Sequence, residues 1–146
     1  MSGVPAARLT VVTLGVTDLK RSVAFYDGLG FKRKFSNDAV AFYETGGSAL
    51  ALFSWDSLAE DAALPAEPRP QGFRGSTLAW NCNSNDEVDL TLNFAIAKGA
   101  KLLKAAHATF YGGYSGYFSD PDGHPWEVVV APGIEVMADG RVRLPD

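Results

Sequence analysis

The chain has 146 residues, of which 47% are hydrophobic and 21% charged, and its formal net charge is −4. This balance is typical of one globular domain, and it argues against nucleic acid or an anionic membrane as the main partner. No apolar stretch approaches the ~20 residues of a membrane span. The single cysteine, Cys82, leaves no internal disulfide and fits a reducing compartment, so we expect a cytoplasmic protein.

The first half of the chain predicts one helix among four strands. The β-branched run 9–16 indicates a mostly buried strand, and Asp18 then caps a helix that ends at Gly28 and Gly30. Three short strands follow at 31–35, 39–43 and 49–55, separated by polar and glycine-rich turns. This gives a β-α-β-β-β module over about residues 8–55. The proline-rich segment 56–75 is predicted as a surface crossover.

The second half repeats this order over about residues 76–132. After a strand at 76–82, Ser84 and Glu87 form a capping box that starts a helix, and Gly99 ends it. Three more strands follow at 101–106, 114–119 and 125–131, with His107 just after the first of them. The turn Asp120-Pro121-Asp122-Gly123 closes the last two into a hairpin. Residues 133–146 form a tail that is compatible with a small hairpin. The pattern therefore predicts a single α+β domain built from two β-α-β-β-β modules.

The last strand of the second module carries a carboxylate beside a tryptophan. Because successive strand residues point to opposite faces, Trp126 and Glu127 are predicted on opposite sides of the sheet. Such a carboxylate either lies on a solvated face or looks into a cleft. On local evidence the solvated face is favoured.

Two motifs resemble those of the vicinal oxygen chelate superfamily, which includes glyoxalases, bleomycin- and fosfomycin-resistance proteins and extradiol dioxygenases. The first is Leu14-Gly15-Val16-Thr17-Asp18-Leu19, followed by Leu29-Gly30-Phe31. The second is Asp120-Pro121-Asp122-Gly123-His124 with Glu127. The resemblance covers residues 9–132. It implies two modules that form a curved mixed sheet, a half-barrel cleft with helices outside, usually in a homodimer.

Catalytic members of this superfamily generally hold a divalent metal in the cleft. Glu127 matches their metal-binding glutamate, which favours the cleft over the solvated face for this residue. The other ligand positions fall at Val11, Thr77 and near Ala51, which are side chains without a good donor for a transition metal. We therefore expect no metal cofactor, and a divalent metal held at another position is the alternative.

Strand alternation and comparison with fosfomycin-resistance members give the candidate cleft residues. Glu127 and Tyr117 are the candidate catalytic pair. The candidate ligand-binding residues are Thr13, Phe53, Trp55, Asn81, His107, Phe110, Tyr111, Ser115 and Tyr117. Aromatic walls with a few polar groups suit a flat, partly polar organic ligand. The alternative is that these side chains have ordinary structural roles in a collapsed cleft.

Three classes of function stay open. The favoured one is a metal-free protein of the bleomycin-resistance kind that binds a small organic molecule. The second is a lyase or dioxygenase of the same superfamily that uses Glu127 with or without a divalent metal. The third is a structural or regulatory homodimer with a vestigial cleft.

Overall fold

The computed structural model describes residues 3–146 and contains two modules with a terminal hairpin. The first module consists of β1 (Val11–Val16), α1 (Leu19–Gly28), β2 (Lys32–Ser36), β3 (Val40–Glu44) and β4 (Ala49–Ser54). Helix α2 (Trp55–Asp61) begins the crossover. The second module consists of β5 (Leu78–Asn81), α3 (Asn85–Ala97), β6 (Lys101–Ala108), β7 (Tyr114–Ser119) and β8 (Pro125–Val130). Strands β9 (Glu135–Val136) and β10 (Val142–Arg143) form the hairpin.

Each module contains one four-stranded mixed sheet. The strand orders are β1-β4-β3-β2 and β5-β8-β7-β6, in which β1 with β4 and β5 with β8 are the parallel pairs. The predicted α+β class with two β-α-β-β-β modules is confirmed. Within residues 3–146 no ladder joins the two sheets, so the strands form two open sheets rather than one continuous one.

Side chains at the helix starts explain where α1 and α3 begin. The carboxylate of Asp18 accepts a hydrogen bond from the backbone N–H of Arg21 at 3.2 Å. At the predicted capping box, Ser84 accepts from the N–H of Glu87 at 3.1 Å, and Glu87 accepts from the N–H of Asn83 at 2.6 Å. These bonds satisfy N–H groups that would otherwise lack partners at a helix terminus.

One hydrophobic core extends through both modules on the helix side of the sheets. At its centre Tyr26 from α1 is fully buried and donates its hydroxyl hydrogen to Asp120 at 2.7 Å. The same hydroxyl oxygen accepts the indole N–H of Trp126 at 3.0 Å. Trp126 is only 5% exposed and stacks on Phe118. The predicted burial of Trp126 on the face opposite Glu127 is thus confirmed, and Cys82 likewise lies in this core.

The two sequence motifs contact each other where the modules meet. The backbone N–H and the hydroxyl of Thr17 both donate to one carboxylate oxygen of Asp122, at 2.9 and 2.6 Å. The Nε2 atom of His124 lies 2.7 Å from the carbonyl oxygen of Gly15. A carbonyl can only accept, so Nε2 carries the proton. The second motif therefore docks onto the end of β1 and the start of α1.

Two local predictions need correction. Trp55 was expected to continue β4, but it begins α2 because the Ser54 hydroxyl caps that helix by accepting from the N–H of Ser57 at 3.4 Å. The alternation that put Trp55 on the same face as Phe53 therefore does not apply. His107 was expected after the sixth strand but lies within β6. Across residues 3–146, none of the helices has the length and apolarity that crossing a membrane requires.

Candidate functional site

Tyr117 and Glu127 face each other across the central strands of the second sheet. They are direct partners in the antiparallel pairing of β7 with β8. Both are half-buried. Burial raises the pKa of the Tyr117 phenol, and the charge of the nearby Glu127 carboxylate together with its hydrogen bond raises it further. The phenol therefore stays protonated at neutral pH and serves as a donor toward the carboxylate.

We call the sheet surface that carries Tyr117 and Glu127 the cleft face. The register places the residues of this face in two neighbouring rows across all four strands of the second sheet. One row contains Ala79, Glu127, Tyr117 and Lys104, and the other contains Asn81, Val129, Ser115 and His107. The structure thus brings together five of the predicted site residues, namely Glu127, Tyr117, Asn81, Ser115 and His107.

Lys104 is a member of this face that the sequence did not suggest. Its position opposite Tyr117 depends on two register irregularities in β6, one on each side of Lys104. Bulges of this kind move the following side chains to the other face. An alternation count from Gly99 onward cannot detect them. Lys104 is exposed, and it brings a positive charge to the row that holds Glu127.

The loop between β6 and β7 adds two aromatic residues at one end of the cleft face. Tyr111 is close enough to Tyr117 for its charge to affect the pKa of that phenol. Phe110 is fully exposed and packs edge-on against Tyr111, with ring centroids 5.4 Å apart. The Thr109 hydroxyl accepts from the N–H of Gly113 at 2.8 Å and closes the loop. A side chain at Gly113 would lie 2.6 Å from the carbonyl oxygen of Val130, so the loop geometry requires glycine there.

Thr13 and Phe53 lie on the first sheet. Thr13 is exposed opposite Ala51, and half-buried Phe53 pairs with Gly15 and Val40. Both alternate with core residues, so they occupy the side away from α1. Helix α2 packs on this same side, since a side chain at Gly15 would lie 3.1 Å from the Trp55 ring.

Trp55 has a different environment from the other predicted residues. Its ring stacks on His124, with centroids 6.4 Å apart, and the guanidinium groups of Arg69 and Arg74 lie 4.6 and 5.4 Å from the ring centre. Its indole N–H donates to the carbonyl of Ala66. Trp55 thus holds the crossover segment against the place where the modules meet.

The metal-ligand positions implied by the resemblance do not form a plausible donor set. Val11 and Ala51 have aliphatic side chains, and Thr77 offers only a neutral hydroxyl. Glu127 is then the single good donor, whereas a transition-metal site needs three or four. Within the part of the chain that the structure describes, no group of three or more histidine, cysteine, aspartate or glutamate side chains is placed to hold a metal ion.

The fold and the arrangement of these residues define the class of the protein. The family model of the Glyoxalase/Bleomycin resistance protein/Dioxygenase superfamily matches residues 8–128. The chain therefore belongs to this superfamily. A comparison with curated proteins finds no significant match.

Solved structures extend this similarity over nearly the full chain. A glyoxalase-related enzyme from Fulvimarina pelagi is 35% identical with a TM-score of 0.85, covering 97% of this chain and 100% of its own. A glyoxalase/bleomycin resistance protein/dioxygenase from Nocardioides is 27% identical with a TM-score of 0.74, covering 90% and 89%. A lactoylglutathione lyase from Agrobacterium tumefaciens shares the fold at 23% identity with a TM-score of 0.67, covering 86% and 95%.

Proposed function

We propose that the protein binds a small, flat organic molecule on the cleft face without using a metal. The observation that carries this proposal is the pairing of Tyr117 with Glu127 on a surface bordered by the exposed aromatic loop. A half-buried carboxylate on a strand needs a partner, and the neutral phenol beside Glu127 supplies a hydrogen bond but no positive charge.

The chemistry of this surface defines the ligand class. Glu127 accepts from an N–H donor or attracts a positive charge, while Tyr111 and Phe110 offer ring faces for stacking. A carboxylate beside aromatic rings suits a flat aromatic cation, since such rings attract cations through their quadrupole. Lys104, opposite Tyr117, can pair with an acidic group elsewhere on the same molecule.

Calorimetric titration with a matched pair of probes tests this proposal. We expect chelator-treated protein to bind 1-methylquinolinium more tightly than naphthalene, which has a similar shape and no charge. Glu127→Gln should weaken the quinolinium complex by about tenfold, the effect of one charged contact. Glu60→Gln, which changes an exposed glutamate on α2, is the control and should bind as the parent does. Equal affinity for both probes would contradict the proposal.

An enzymatic role for the same pair is the second candidate, favoured by the similarity to the Fulvimarina pelagi protein described as an enzyme. In this role Glu127 removes a proton from carbon beside a carbonyl, and the protonated Tyr117 hydroxyl stabilises the developing negative charge. Deuterium exchange into dihydroxyacetone in heavy water distinguishes the two candidates. The enzyme should accelerate the exchange, and Glu127→Gln should abolish the acceleration. If the protein does not accelerate the exchange, the enzymatic role is excluded and the binding role remains.

We also propose that the chain forms a homodimer in the cytoplasm. The basis is the family resemblance together with the exposed leucines of the edge strand β6, Leu102 and Leu103, each 48% exposed. Unpaired sheet edges with apolar side chains favour association. Light scattering at micromolar concentration should give the mass of two chains, and the mass of one chain would contradict the proposal.

A further inference from the structure

A cavity lies mainly on the helix side of the sheets, where an edge of each sheet borders it. Its volume is about 510 Å³, within the roughly 300–1,000 Å³ usual for ligand pockets. Edge strands β1 and β5 both flank it, through Val12 and Leu78. Its lining includes Phe31, Trp80 and Trp126, together with Ala79 and Asn81 of the cleft face, but neither Tyr117 nor Glu127. The cavity therefore adjoins the cleft face at β5 and does not include the Tyr117–Glu127 pair.

Aromatic side chains form part of the wall of this cavity, and one of them, Trp80, has an indole N–H without a protein acceptor among the described residues. Phe31 lies between the two tryptophans, with ring centroids 5.5 Å from both Trp80 and Trp126. The indole N–H of Trp126 donates to Tyr26, and that of Trp55 donates to Ala66. By contrast, the indole N–H of Trp80 bonds to no acceptor among residues 3–146, and its nitrogen is not fully buried. It is therefore free to donate to a ligand that carries an acceptor.

The terminal hairpin forms the roof of the cavity. Val136, Gly140 and Val142 line it from this side. The Asn83 side chain anchors the hairpin to the second module through two hydrogen bonds of 3.0 Å with the backbone of Val136. At the other end the hairpin packs so closely on the β3–β4 turn that a side chain at Gly46 would lie 2.7 Å from the carbonyl oxygen of Asp139. The hairpin thus bridges the two modules above the cavity.

Two of the residues that line the cavity are charged, and they are opposite in sign. Lys32 and Glu44 both line the rim, and they lie 3.9 Å apart. Lys34 approaches the same carboxylate at 3.7 Å. The lining itself thus carries one charge of each sign, while Lys34 adds a positive charge outside it. The absence of a net charge on the lining favours an uncharged ligand.

We propose that this cavity binds a small, flat, uncharged aromatic molecule whose carbonyl or ring acceptor takes the hydrogen of the Trp80 indole. The site goes beyond the cleft-face function and does not depend on it. The ligand proposed here is uncharged, whereas the ligand proposed for the cleft face is cationic.

Coumarin, a neutral bicyclic lactone with a carbonyl acceptor, is the probe for this site. The three tryptophans of the chain give three indole N–H signals in a nitrogen-15 spectrum, and Trp80→Phe assigns the one from Trp80. We expect coumarin at roughly millimolar concentration to shift the Trp80 signal saturably and to leave the Trp55 signal in place. Trp80→Phe should weaken binding, followed by calorimetry, by about fivefold, as expected for one neutral hydrogen bond.

A second pair of variants tests the same cavity without changing Trp80. Val142→Phe fills the cavity from the exposed hairpin and should abolish binding, whereas Leu144→Phe, exposed on the same tail, should not. Glu127→Gln should bind coumarin as the parent does, which separates this site from the cleft face. The absence of a saturable Trp80 shift, or unchanged binding by Val142→Phe, would overturn the proposal. If the Trp80 signal shifts when only the protein concentration is raised, a second copy of the chain occupies the cavity, and this result would also overturn the proposal.

Discussion

Trp126 and Glu127 are adjacent in β8 and lie on opposite faces of the second sheet. Trp126 is 5% exposed in the core, whereas Glu127 is half-buried beside Tyr117. We predict that Trp126→Ala lowers the free energy of unfolding by roughly 3–5 kcal/mol, as for other core truncations. Glu127→Gln should leave it nearly unchanged. Urea denaturation of both variants measures this difference, and the reverse order of effects would mean that the assignment of faces is wrong.

The buried Tyr26 hydroxyl predicts a loss of stability at alkaline pH. Burial, and then the charge of Asp120 and the hydrogen bond to it, raises the pKa of Tyr26 well above its usual value. Above about pH 10 the unfolded chain releases this proton while the folded chain keeps it, so the free energy of unfolding falls as pH rises. Tyr26→Phe removes this titration and should give a shallower decline than the parent in unfolding curves from pH 9 upward.

Tyr26→Phe also tests the hydrogen bonds that join α1 to the second module. The variant loses the bond to Asp120 and leaves the Trp126 indole without its acceptor. At neutral pH we expect a cost of roughly 1–3 kcal/mol for these buried groups. A neutral-pH stability equal to that of the parent, with the same alkaline decline, would contradict the assigned role of Tyr26.

Trp55 is predicted to stabilise the fold without contributing to ligand binding. Arg69 and Arg74 both lie over its ring, which also stacks on His124. Because Trp55 is half-buried, Trp55→Ala should cost less than a core tryptophan, roughly 2 kcal/mol. The affinity for 1-methylquinolinium should not change. If Trp55→Ala loses affinity for the ligand but keeps the stability of the parent, Trp55 is part of the ligand site and this prediction is wrong.

These outcomes show what the sequence can and cannot reveal. Alternation placed Trp126 and Glu127 correctly because the Asp-Pro-Asp-Gly turn fixes the start of β8. The same counting failed at Trp55, where a serine cap begins a helix, and missed Lys104 behind the irregularities of β6. The bond between Tyr26 and Asp120 joins residues 94 positions apart, and the helix-side cavity depends on how two sheet edges diverge. Local patterns do not encode either feature.

Because most metal-ligand positions lack a donor side chain, we predict that the protein binds no metal and that adding donors there creates a metal site. Protein purified without chelators should carry no stoichiometric divalent metal, because Glu127 is the only good donor at the positions implied by the resemblance. Val11→His combined with Thr77→His supplies two imidazoles there and should produce zinc binding that Glu127→Gln weakens. Elemental analysis after dialysis measures both. One metal ion per chain in the parent protein would contradict this prediction.

The most direct test of the central claim is a crystal structure of the metal-free protein with 1-methylquinolinium. We expect the cationic ring on the cleft face, in contact with the Glu127 carboxylate and stacked near Tyr111, with no metal between ligand and protein. A ligand bound only in the helix-side cavity, or one bound through a metal ion at Glu127, would contradict it.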